Sequence, residues 1–192
     1  VILDPSERAE IILQEIENQA FAQGLELIND PSLLNEVVGL IEWPVVLMGK
    51  LEDQFLSLPP EVLQTSMREH QKFFSLINPK NKKVVQFATV ANRETSDNGS
   101  TILAGNQKVL SARLADAKFF WDNDLRIINT SGLDLWLEKL KQVTFHNKLG
   151  NQFERVERIV NLSVTIAKII GCDPNLAKSA ASISKSDLSS EM

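Results

Sequence analysis

The chain has 192 residues, 43% of them hydrophobic, and carries a formal net charge of −5 at pH 7. This length can bury a sizeable core in one domain or in two small ones, while the acidic balance excludes a global basic field for a polyanion, so that any RNA contact must be local. The sequence contains no run of eighteen apolar residues and does not begin like a signal peptide, which argues against a membrane protein.

The first region, residues 1–130, predicts a mixture of helices and antiparallel strands. Asp4-Pro5 supplies an N-cap and a first helical position, and an apolar stripe then continues until Gly24. The expected elements are helices near 4–23 and 31–41, a strand near 45–51, a helix near 60–71, strands near 72–78 and 84–91, and a long helix near 101–121. Because the polar residues 78–83 between the last two strands favour a turn, those strands should form a hairpin.

The second region, residues 131–192, predicts helices alone, with the boundary between Asn129 and Trp136. One helix should run from Phe153 to Gly171, and Asp173-Pro174 should open another. Seven small or apolar residues fall on one arc of the first of these helices. They are Val156, Ile159, Val160, Ser163, Ile166, Ala167 and Ile170.

Two polar residues fall on predicted apolar arcs. His70 lies on the arc of the helix near 60–71 and should be at least partly buried, as a neutral core histidine or as an RNA-facing imidazole. Arg113 points into the apolar arc of the long helix, where a buried guanidinium needs a carboxylate. Asp116 is the local candidate. The alternative is that Arg113 lines a groove for a phosphate or for a partner subunit.

Two further features, a group of lysines and the single cysteine, can be explained without a function. Lys80, Lys82 and Lys83 form the main basic neighbourhood, which is either a solvated loop tip or a local RNA contact. The single cysteine, Cys172, cannot form an internal disulfide, which suits a reducing cytosol, and we expect it to be a small apolar filler.

Four blocks of sequence, in this order and spacing, resemble the β subunit of the bacterial heterotetrameric glycyl-tRNA synthetase. The blocks are Glu42-Trp43-Pro44, the stretch 66–74, the stretch 105–121, and Phe145 to Gly150 followed by 155–159. The last block is similar to that family's entry into a helical domain of the HD type. Because the family chain continues further, the resemblance implies that this sequence is an excised part of a longer protein.

The resemblance implies an α+β fragment that supports tRNA recognition and assembly with a catalytic α subunit in a cytoplasmic α2β2 ligase. ATP and Mg would act on the α subunit, and no catalytic, cofactor-binding or metal residue is expected among these positions. The expected partners are the α subunit and glycine tRNA, with neither DNA nor a membrane. Five residues are candidates for contacts with RNA or with the partner: Arg68, His70, Lys72, Lys108 and Arg113.

Two alternatives come from other classes of protein. His146 matches a place where an HD-type phosphohydrolase could supply a metal ligand, but no histidine follows it to complete such a site. The second alternative is an interaction module without a link to translation. Since the basic residues are scattered, these 192 residues alone should bind tRNA weakly.

Overall fold

The computed structural model describes all residues, 1–192, and divides them into two compact units, Val1–Lys118 and Phe119–Met192. The helices are α1 (Pro5–Ala22), α2 (Pro31–Leu40), α3 (Pro60–Ser66), α4 (Ser100–Ser131), α5 (Asp134–Lys139), α6 (Gln152–Ile170) and α7 (Pro174–Ile183). The strands are β1 (Glu26–Leu27), β2 (Val45–Lys50), β3 (Phe74–Ile77), β4 (Val84–Ala91), β5 (Thr144–His146) and β6 (Gly150–Asn151). The predicted α+β class is confirmed.

Helix ends follow the local chemistry read from the sequence. The Asp4 side chain accepts a hydrogen bond of 2.8 Å from the Ser6 N–H, and Asp173 accepts one of the same length from the Asn175 N–H. Both aspartates precede a proline in the first helical turn. Gly171 ends α6 with a φ of 74°, a left-handed conformation that glycine adopts without steric cost.

The first unit is built on a four-stranded antiparallel sheet in the order β1-β3-β4-β2. The predicted β3–β4 hairpin is confirmed, whereas the two-residue β1 was not anticipated. α1 and α2 bury their apolar stripes in one hydrophobic core together with side chains from β2, β3 and β4. The most deeply buried members of that core are Ile12, Ile16, Ala20, Leu33, Phe74, Leu76 and Ala88.

Phe87 of β4 belongs to a stacked pair of aromatic rings. Phe87, which is fully buried, stacks on Phe73 with ring centroids 4.7 Å apart. Gly49 pairs with Phe87 across the β2–β4 ladder, and a Cβ atom at Gly49 would lie only 2.2 Å from the Phe87 ring. The ring therefore occupies space that only glycine leaves open.

The free edge of β2 is partly covered by two amide side chains. Gln19 of α1 donates to the Val46 carbonyl at 3.5 Å, and Gln107 of α4 donates to the Lys50 carbonyl at 3.4 Å. These long hydrogen bonds satisfy acceptors that no neighbouring strand reaches.

The second unit contains a β-hairpin as well as helices, so the prediction of an all-helical region is wrong. β5 pairs with β6 in antiparallel register, and Gly150 adopts a φ of 87° that suits the tight turn. α6 packs against α7. Of the arc predicted on α6, Val156 and Ala167 are buried, whereas Ile166 and Ile170 are exposed.

Helix α4 runs to Ser131 rather than ending near 121, and Gly132 follows it with a φ of 64°. The break expected at residues 129–132 is thus the end of a helix. The two units divide earlier, between Lys118 and Phe119, than the predicted boundary near residue 130. None of the seven helices combines the length and hydropathy needed to cross a membrane.

Asp124 is the buried charge of the second unit, with 4% of its surface exposed. Its carboxylate accepts hydrogen bonds from the Ser190 hydroxyl at 2.7 Å and from the N–H groups of Glu191 and Met192 at 3.0 and 3.1 Å. Desolvation by burial acts to raise the pKa of Asp124, but these hydrogen bonds and the charge of Lys139 outweigh it and lower the pKa below its ordinary value.

We expect Gly49→Ala to lower the free energy of unfolding by about 1–3 kcal/mol, because the new methyl group must displace the buried Phe87 ring. Urea denaturation of the 192-residue chain measures this. Gly105→Ala is the matched control, since a Cβ atom there meets nothing within 4 Å, and it should be neutral or stabilise α4 by about 0.5–1 kcal/mol. Equal stability of both variants would show that Phe87 repacks freely.

We expect Asp124→Asn to lower the free energy of unfolding at pH 7 by about 1–3 kcal/mol, since the ionised acceptor of three hydrogen bonds is lost. The folded pKa of Asp124 lies below its unfolded value, so its stabilisation is complete above about pH 4 and fades as the pH falls through the folded pKa. The difference between wild type and variant should therefore shrink in acid. The exposed Asp187→Asn is the control, and a pH-independent difference would contradict the assignment.

Candidate interaction surfaces

Two of the five candidate residues form ion pairs with carboxylates of the chain. The Arg68 Nε atom lies 3.1 Å from Asp30 and 3.7 Å from Glu69, and the Lys72 Nζ atom lies 2.9 Å from Glu36. These pairs neutralise much of the positive charge that an RNA phosphate would meet. They leave Arg68 and Lys72 as weaker candidates for RNA contact than the sequence indicated.

His70 is exposed, so the prediction that it is at least partly buried is wrong. The reason is local geometry: α3 ends at Ser66 and the backbone continues as a π-helical turn over Met67–Gln71, which shifts the following side chains around the axis. Lys72 then closes the turn with a φ of 56°. A regular helical repeat of 100° per residue does not describe this segment.

Arg113 is also exposed, and no ion pair joins it to Asp116, so the buried pair expected from the sequence is wrong. The buried stripe of α4 in the first unit follows Leu110 and Leu114, which are 2% and 0% exposed. Val109, four residues before Arg113 and therefore on the same side of the helix, is 48% exposed. The side of α4 that carries Arg113 is therefore not the buried side.

Lys108 lies in a polar cleft that also contains a lysine from β2. The cleft has a volume of about 380 Å³ and is lined by Lys50, Glu52, Gln107, Lys108 and Ser111. We call it the lysine cleft. The Ser111 hydroxyl and the Gln54 amide donate to the Glu52 carboxylate, and these hydrogen bonds lower the pKa of Glu52.

The charges of the lysine cleft leave room for an anion. Neither Lys50 nor Lys108 has a carboxylate partner in the chain. Glu52 stays ionised, but its oxygens accept from Ser111 and Gln54. Two ammonium groups and one carboxylate leave a net positive charge, which is suited to one or two phosphate oxygens. Sequence reasoning missed Lys50 because a lone lysine at the end of a strand carries no recognisable pattern.

A second cavity, of about 260 Å³, lies beside Arg68. Four apolar side chains and seven polar ones line it: Ile28, Leu33, Phe73 and Phe74, then Asp30, Glu61, Gln64, Thr65, Arg68, Glu69 and Ser75. Because it contains three carboxylates against one guanidinium, we call it the acidic cavity. No motif in the sequence pointed to it, since its residues come from α2, α3, the π-helical turn, β3 and the segments just before α2 and β3.

The turn between β3 and β4 is the other basic neighbourhood. Lys82 adopts a φ of 56° and its Nζ atom lies 3.2 Å from Glu26. Lys80 and Lys83 are exposed, and their N–H groups donate to the side chains of Asn78 and Asn81. The turn thus presents two unpaired lysines at its tip.

His146 belongs to β5 and not to a helix start. Its Nδ1 atom accepts a hydrogen bond of 3.1 Å from the Lys148 N–H. No group of three or more His, Cys, Asp or Glu side chains that could hold a metal ion occurs in the chain. Cys172, expected to be a small apolar filler, is exposed.

Comparison with known proteins identifies the same family that the four sequence blocks resemble. The family model described as glycyl-tRNA synthetase beta subunit matches residues 1–192. Proteins named glycine–tRNA ligase beta subunit are 64% identical in Ruegeria sp. (strain TM1040) and 62% identical in Dinoroseobacter shibae, each over 100% of this chain. One from Phenylobacterium zucineum is 48% identical over 98% of the chain. The chain spans only 26–28% of these relatives' length, and nothing favours the phosphohydrolase alternative.

We expect Arg113→Ala to change the free energy of unfolding by less than about 0.5 kcal/mol, because an exposed side chain without a charge partner is removed. The neighbouring Leu114→Ala should cost about 2–5 kcal/mol, since Leu114 is fully buried. Chemical denaturation of the two variants measures the difference. A large loss for Arg113→Ala would place that side chain in the core after all.

Proposed function

Since this chain belongs to the family of glycyl-tRNA synthetase beta subunits, we propose that the protein supports tRNA recognition and assembly with a catalytic α subunit in the ligation of glycine to its tRNA. The match of the family model to every residue, 1–192, carries this proposal. The activation of glycine with ATP and Mg is assigned to the α subunit, and the complex to the cytoplasm. The present residues supply binding surfaces to that complex.

Within this role, the lysine cleft is the surface suited to the tRNA backbone. The net charge of −5 means that the chain does not attract RNA as a whole, so a contact depends on a local excess of cations. Lys50 and Lys108 line one cleft and are free of carboxylate partners, in contrast to Arg68 and Lys72. Gln107 and Ser111 add polar groups beside them. His70 and Arg113 are exposed and stay candidates for contacts with RNA or with the partner.

Aminoacylation by the separate and combined subunits tests the proposed function. The full-length protein and the α subunit from the same organism are purified alone and together, and glycine-dependent charging of glycine tRNA is measured. The mixture should charge the tRNA, whereas the full-length protein alone should show no glycine-dependent ATP–pyrophosphate exchange. Charging by the α subunit at the same rate with and without this protein would refute the proposal.

We expect Lys50→Ala/Lys108→Ala in the full-length protein to raise the KM for glycine tRNA about 5- to 30-fold at unchanged kcat. Each lost contact at a solvated surface is worth about 0.5–1 kcal/mol. The dependence of log K on log salt should become shallower by about 2, since two phosphates are no longer neutralised. Fluorescence anisotropy at several salt concentrations measures the slope.

Lys80→Ala/Lys83→Ala is the matched control, because it removes two exposed lysines that also lack carboxylate partners from the β3–β4 turn. It should leave both the KM and the salt dependence close to the wild-type values. If this variant weakens tRNA binding and the cleft variant does not, the RNA contact lies at the turn and the assignment to the lysine cleft is wrong.

A further inference from the structure

The acidic cavity has an apolar floor and a negatively charged rim. Leu33, Phe73 and Phe74 are each 2–3% exposed and, with Ile28, form the apolar part of its wall. Glu61 and Glu69 stand at its rim and are both exposed. A ligand with an apolar stem and a polar head would bury the stem on this floor while its head stays at the rim.

The single guanidinium of the acidic cavity does not neutralise its three carboxylates. Asp30 is fully engaged, because one oxygen accepts from the Leu33 N–H at 2.9 Å and the other pairs with Arg68 at 3.1 Å. Glu61 has no cationic partner, and Glu69 has only the longer contact of 3.7 Å with Arg68. Two of the three carboxylates are therefore left for a cation from outside.

A hydroxyl in the wall that has no partner within the chain is a second and independent sign of a ligand. Ser75 of β3 is 8% exposed and lines the cavity. Its carbonyl accepts from the Ile28 N–H, whereas its hydroxyl makes no hydrogen bond within the chain. The hydroxyl oxygen itself is not shielded from the cavity, so it can accept a hydrogen bond from a donor on a ligand.

We propose that the acidic cavity receives a lysine or arginine side chain of a protein partner. The alkyl stem of that side chain packs on Ile28 and Leu33. Its charged head donates hydrogen bonds to the Ser75 hydroxyl and to the carboxylates of Glu61 and Glu69. An RNA backbone is disfavoured here because the rim carboxylates repel phosphates. The proposal rests on the proposed function, in which the protein partner is the synthetase α subunit, and it assigns one contact of that assembly to this cavity.

The test compares variants of the full-length protein for association with the α subunit by isothermal titration calorimetry. Glu61→Gln/Glu69→Gln should weaken association at least tenfold and make it less sensitive to salt. Thr65→Trp, at an exposed position on the wall, should weaken it by filling the cavity without changing any charge. Ser75→Ala should weaken it a few-fold. Far-ultraviolet circular dichroism confirms that each variant is folded.

Glu10→Gln/Glu17→Gln is the control, since it removes two exposed carboxylates from α1 with the same change in net charge. It should leave association unchanged. If the wild-type protein and the α subunit do not associate, the proposed function fails and this inference fails with it. If they associate and the cavity variants behave as wild type or as the control, only the inference is overturned. Loss of tRNA affinity at unchanged association would instead assign the cavity to RNA.

Discussion

The stack of Phe87 on Phe73 in the space beside Gly49 is the contact on which the first unit depends. Phe87 belongs to the central strand β4, whereas Phe73 follows the π-helical turn, so the stack ties that turn to the sheet. Phe73 also forms part of the wall of the acidic cavity, and Gly49 precedes Lys50 of the lysine cleft. One aromatic contact therefore positions residues of both candidate surfaces.

The two surfaces differ in charge although they belong to the same unit. In the acidic cavity, Arg68 is paired and the remaining carboxylates give a negative rim. In the lysine cleft, Glu52 is held by neutral donors, and both lysines stay free of carboxylate partners. A protein with a net charge of −5 can in this way offer a cationic site and an anionic site to different partners.

Capping and turn residues correctly predicted those elements whose ends depend on neighbouring residues in the sequence. The aspartate-proline pairs fixed the starts of α1 and α7, Gly171 fixed the end of α6, and the polar turn predicted the β3–β4 hairpin. The errors arose where a regular repeat fails or where burial is set by tertiary packing. A π-helical turn displaced His70 from the buried side. The buried face of α4 follows Leu110 and Leu114 instead of the side that carries Arg113. Asp124 was missed because its donors lie more than sixty residues away along the chain.

The covered edge of β2 protects the protein against aggregation through that strand. An open strand edge offers a row of carbonyl and N–H groups on which another extended chain can polymerise into a sheet. Gln19 and Gln107 occupy two of those carbonyls, and because they come from α1 and α4, they shield the edge only while those helices are folded. Heating or truncation that releases either helix would therefore convert β2 from a protected edge into a template for aggregation.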